Sequence, residues 1–89
     1  MRSPRFPLGR LQQTPGVQAS IPGDALAAAL ARHITGDFGD LCPEDVATNE
    51  LAIEDGAQIL SCYQHDGNKF YIITDPDRSR TTALLPSEY

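Results

Sequence analysis

The spacing of apolar positions changes from a helical to a strand period along this chain. Leu26, Leu30 and Ile34 recur at intervals of four within an alanine-rich run, the spacing of one helix face. Asp24 is expected to cap the start of that helix, with Ile21, Pro22 and Gly23 leading in and Gly36 ending it. Arg32 and His33 fall in its last turn, where cations suit the dipole. A second helix is predicted from Pro43 to about Asp55, with Glu44 and Asp45 in its first turn and Gly56 as its stop. Val46 and Ile53 lie near one face with Asn49 between them; Ala47 and Leu51 lie to one side. Beyond Gly56 the period falls to two. Ile59, Ser61 and Tyr63 share one strand face, and Leu60, Cys62 and Gln64 the other. Asp66-Gly67 is a hairpin signal. Phe70 to Thr74 is the most strand-prone run, Asp75-Pro76-Asp77 predicts a turn, and Thr81 to Leu85 reads as a third strand.

These elements predict an α+β fold, with two helices packed on a three-stranded antiparallel β-meander. Residues 21–89 form that domain. Residues 1–20 form a basic N-terminal arm and anchoring segment, extended at first, with one helical turn after Thr14-Pro15. The link Gly36-Asp37-Phe38-Gly39-Asp40 joins the helices. Phe38 is expected to point inward as a plug, and Asp37 and Asp40 to cap nearby backbone N–H groups. No internal repeat is present.

Composition narrows the function classes. Eighty-nine residues with 40% hydrophobic content, 7% aromatic content and no Trp suit one domain with a modest core. A shallow cleft or an interface is expected before a roomy buried active site. The net charge of −5 argues against nonspecific binding to nucleic acid or anionic membrane, which depends on Lys and Arg neutralising phosphates. The charge is uneven. Residues 1–23 hold Arg2, Arg5 and Arg10 and no acid, whereas residues 36–55 hold seven acids and no base. Cys42 and Cys62 match no metal or redox spacing, and nothing upstream resembles a signal peptide. No apolar run approaches the ~20 residues of a membrane span. A reduced, cytoplasmic protein is expected.

Four constellations carry candidate chemistry. Asp37, Asp40, Glu44 and Asp45 supply hard oxygens, but their spacing does not fit a calcium loop. Together with Glu50, Glu54 and Asp55 they make an acidic face suited to a protein partner, including a basic nucleic-acid-binding protein that reads carboxylates as phosphates. Asp75, Asp77, Arg78 and Ser79, with Thr81 and Thr82, cluster at the second hairpin. The Arg78 guanidinium there is a candidate fork for a carboxylate or phosphate, or else a structural partner of a carboxylate. His33, His65, Cys42 and Cys62 are the soft ligands, and their spacing does not call for a zinc site. No cofactor, metal or catalytic residue is assigned.

RHITGDFGDL with the ED and NE that follow, LSCY, and the closing YIITDPDRSRTTALLPSEY resemble the small "plasmid-related" proteins of bacterial plasmids and other mobile elements. The resemblance spans roughly residues 30–89, and LGRLQQTPG is similar to that family's opening. Two departures are Phe38, where Trp is expected, and Cys42, where a capping Asp or Ser is expected. The resemblance implies a mobile-element context and no activity or catalytic residues. The expected function is a non-enzymatic protein-interaction module that modulates a nucleic-acid-handling host-defence protein by charge mimicry. The alternative is a small ligand-binding domain or enzyme using the Asp75–Thr82 hairpin. A homodimer through a self-complementary sheet face is a third expectation.

Overall fold

The computed structural model describes residues 3–89; Arg2, counted above with the basic arm, lies outside them. The chain is α+β and runs β1 (Arg10–Gln13), α1 (Pro15–Ser20), α2 (Gly23–Ile34), α3 (Pro43–Asp55), β2 (Ile59–His65), β3 (Asn68–Thr74), β4 (Arg80–Leu84) and a closing 3-10 turn at Pro86–Glu88. The strands form one sheet in the order β1-β4-β3-β2. The last three make the expected meander, with Tyr63 opposite Phe70 and Ile72 opposite Ala83. At the first hairpin Asp66 and Gly67 both take positive φ, 49° and 80°, as a two-residue turn that follows strand twist requires.

The three-stranded, two-helix expectation is corrected. The sheet is mixed and has a fourth strand, because Arg10–Gln13 pairs parallel with β4, with Arg10 beside Arg80 and Gln13 beside Ala83. There is also a third helix. The Thr14 hydroxyl accepts from the Val17 N–H at 3.4 Å, and Pro15 occupies the first turn of α1. The Glu88 carboxylate closes this corner by accepting from the Thr14 hydroxyl at 2.5 Å and the N–H groups of Gly16 and Leu85 at 3.1 and 2.9 Å. These hydrogen bonds hold its pKa below the usual value.

The helices sit on one face of the sheet. One core cluster joins Val17, Ile21 and Ala29 to Tyr63, Phe70, Ile72 and Ala83. The other joins Phe6, Phe38, Ala52 and Ile59. The buried line of α2 is rotated by one residue from the expected stripe. Ala29 and His33 are buried, while Leu26, Leu30 and Ile34 flank them half-exposed. Small Ala29 lets the helix approach the sheet closely. The cap of α2 is Pro22 and not Asp24, whose carboxylate accepts from the Ala25 N–H at 2.9 Å within the first turn.

The N-terminal arm is docked. The Arg5 N–H donates to the Ile34 carbonyl at 2.7 Å, and the Arg5 guanidinium pairs with Glu50 at 2.9 and 2.7 Å. Phe6 is buried, edge-on to His33 at 5.2 Å, with the Arg78 guanidinium 5.7 Å from its centre. Phe38 packs as the expected plug, buried and edge-on to His33 at 6.5 Å. The link after α2 then runs along the outer edge of β2. The Cys62 N–H donates to the Phe38 carbonyl at 3.0 Å, and the Asp40 N–H to the Cys62 carbonyl at 2.8 Å. Asp40 is thus held by its own backbone, whereas the Asp37 carboxylate accepts from the Gly39 N–H at 3.3 Å. A Cβ on Gly39 would stand 2.0 Å from the Cys62 oxygen, so this approach requires glycine. Covering the edge in this way blunts its tendency to pair with other chains.

Candidate protein-interaction surface

The most reactive-looking pair lies in the interior. His33 Nδ1 is 2.5 Å from the Ser61 hydroxyl, and Nε2 is 2.9 Å from that of Thr74. The Thr74 and Thr81 hydroxyls are 2.8 Å apart, and Thr81 donates to the Leu8 carbonyl at 2.7 Å. That carbonyl can only accept, which fixes the polarity of the whole chain. Thr81 accepts from Thr74, and Thr74 accepts from Nε2–H; in the neutral ring that burial favours, Nδ1 accepts from Ser61. The chain therefore places a proton on Nε2 of His33. Burial, with the nearby Arg78 charge second, pushes its pKa down to about 4. The reading of His33 as a cation at the end of α2 is corrected by this burial. His33 and Ser61 are fully enclosed, so no substrate reaches them. They tie α2 to three strands and to the arm.

The seven carboxylates of the acidic face separate into three sets. Asp37 and Glu50 are held by arginines: Arg32 bonds Asp37 at 2.8 and 3.1 Å, and Arg5 bonds Glu50. The hydrogen bonds from Arg5 lower the Glu50 pKa. Asp40 and Asp45 border a cleft of about 400 Å³ that reaches Leu60, Cys62, Tyr71 and Tyr89. Glu44, Glu54 and Asp55 are exposed on α3. With Ala47, Thr48 and Leu51 they follow the helical repeat along its outer side, while Asn49 and Ala52 face inward. Leu51 stands in the middle of this stripe and is 60% exposed. Exposed leucine with Ala47 and Thr48 one turn back and Glu54 and Asp55 one turn on marks the face, and its exposure follows from the inward placing of Asn49. Cys42 occupies the cap position of α3 without a side-chain capping bond; its thiol lies 3.5 Å from Glu44.

The second hairpin is internally satisfied. The Arg78 guanidinium donates to the carbonyls of Ala57, Ala52 and Asp75 at 2.6, 2.8 and 3.2 Å. It therefore closes the C-terminal end of α3, and the expected carboxylate partner is replaced by backbone oxygen. Asp77 accepts from the Ser79 N–H and hydroxyl at 3.0 and 2.7 Å. Asp75 pairs with Arg80 at 2.9 Å. The shallow cleft nearby is lined by Arg10, Gln12, Asp75, Ser79 and Arg80, not by Arg78. The Thr81 hydroxyl is buried in the His33 chain, away from this cleft.

The sheet face opposite the helices carries Leu60, Cys62, Tyr71, Ile73, Thr82 and Leu84, with the polar Gln64, Lys69 and Arg80 towards the strand ends, by the alternation of the paired strands. Tyr89 of the C-terminal segment packs edge-on to Tyr71 at 5.8 Å. Leu60, Tyr71 and Ile73 remain half-exposed.

Among the described residues no three or more His, Cys, Asp or Glu side chains gather as a metal site would need, and no helix is long and apolar enough to cross a membrane. Comparisons with family models, curated proteins and solved structures find no match for this chain.

Proposed function

We propose that this chain is a non-enzymatic protein-interaction module that engages a basic protein surface through the outer side of α3. Leu51 serves as the apolar anchor, and Glu44, Glu54 and Asp55 form its charged surround. The observation that carries the reading is the 60% exposure of Leu51 on a helix whose other exposed neighbours are acidic or small. An apolar centre within a polar rim is the general anatomy of a recognition patch. The acids supply steering and register.

The resemblance to plasmid-borne proteins suggests the kind of partner: a nucleic-acid-handling protein of host defence, whose phosphate-binding groove accepts a row of carboxylates. Asp37 and Glu50 are set aside in this reading, since arginines already hold them. The hairpin alternative is less favoured because Arg78 spends its donors on carbonyl groups.

Affinity capture from a bacterial lysate tests the reading when run with paired variants. Leu51→Arg and the double change Glu54→Lys with Asp55→Lys should abolish retention of the captured protein. Asp66→Lys, on the exposed first hairpin, should not. Retention should also fall with salt. Equal retention by all three variants would refute the assignment.

A further inference from the structure

We infer that the open sheet face is the contact between two copies of this chain. The charge carried at its two sides favours a second copy as the occupant. At the β1 side, Arg10 and Arg80 are register partners and so project together from the open face. Both are exposed; Arg80 is paired with Asp75, whereas among the described residues Arg10 has no ion pair and is the available cation of this side. At the β2 side, Asp40 and Asp45 outnumber the one cation, Lys69, around the cleft over Leu60 and Cys62, so that this side carries net negative charge. The half-exposed side chains of Tyr71, Ile73 and Leu60 lie between these opposite charges. A two-fold axis lying along the strands exchanges left and right edges. Such an axis keeps each position along the strands, so Arg10 of one copy faces Asp45, which lies beside Gln58 and Leu60, of the other, twice over, while the apolar strips meet in the middle. Such a surface is complementary to itself, as a two-fold interface must be. A basic or an acidic partner protein would match one side of the face and be repelled by the other.

This contact is separate from the outer side of α3, so two copies leave both Leu51 stripes open.

Sedimentation velocity over a range of concentrations tests the proposal. The expected result is a concentration-dependent species with twice the 9.7 kDa chain mass. Arg10→Glu alone and Asp45→Arg alone should each weaken self-association by about tenfold or more, because like charges then oppose at two symmetric positions. An equimolar mixture of the two variants should recover it, since each pairing becomes attractive again. Both substitutions lie at exposed positions, and circular dichroism will confirm that each variant is folded. A single 9.7 kDa species at all concentrations would overturn the proposal. So would a dimer unaffected by either substitution, or variants that fail to recover on mixing.

Discussion

Asn49 holds both backbone hydrogen-bonding groups of Leu60. Its amide donates to the Leu60 carbonyl at 2.7 Å, and its side-chain oxygen accepts from the Leu60 N–H at 3.1 Å. A helix side chain thereby takes the place of a neighbouring strand at the sheet edge. The polar residue amid Val46, Ala52 and Ile53 is explained by this pairing. Asn49→Ala should cost about 2–3 kcal/mol, since two backbone groups lose their partners in a largely buried site. Urea denaturation will read the loss as a lowered midpoint with an unchanged slope.

Gly39 and Gly67 both take positive φ, at 75° and 80°, yet they differ in surroundings. A Cβ at Gly67 meets open space, whereas one at Gly39 collides with the Cys62 carbonyl. Gly67→Ala should cost about 1 kcal/mol. Gly39→Ala should cost more than about 3 kcal/mol, because the link must leave the edge of β2. Thermal melts of the two variants will separate backbone strain from collision.

The docked arm contributes through Phe6 more than through its ion pair. Phe6→Ala should destabilise by about 3–4 kcal/mol, the range for emptying an aromatic site in a core. Glu50→Gln, which leaves Arg5 without its exposed carboxylate partner, should cost no more than about 1 kcal/mol. Stability measured at low and high salt should show sensitivity in the Arg5–Glu50 pair and little in Phe6.

His33 makes stability depend on pH in a defined window. Its folded pKa is near 4 against an ordinary 6.5, so between these values the unfolded chain binds more protons. Stability is therefore complete above pH 6.5 and declines as pH falls towards 4, by roughly 3 kcal/mol in all. Glu50 and Glu88 have lowered pKa values, and they add losses of the same sign only at pH below the ordinary carboxylate range. Imidazole ¹⁵N shifts should show a neutral, Nε2-protonated His33 at pH 6. A charged ring at that pH would contradict the pKa lowered by burial, and a ring protonated on Nδ1 alone would contradict the polarity of the hydroxyl chain.

Much of this fold was legible because its signals are local. Pro43 and Gly56 bound α3, and Asp66-Gly67 marks its hairpin by backbone freedom alone. The β1 strand was not legible. All four of its residues are exposed, so they carry no alternation, and its partner strand begins at Arg80. Arg78 was misread because its partners are carbonyls, and a carbonyl has no residue identity for a sequence to display. The acidic run was visible, but its division was not. Only the docked arm reveals that Glu50 belongs to Arg5, and only the inward turn of Asn49 exposes Leu51.

The central claim is that α3 presents its outer side to a partner. A titration of ¹⁵N-labelled chain with the captured partner, followed by amide chemical shifts, tests it most directly. The account predicts the largest changes at Glu44, Ala47, Thr48, Leu51, Glu54 and Asp55. Changes centred on Asp75–Ser79, with those α3 amides unmoved, would contradict it.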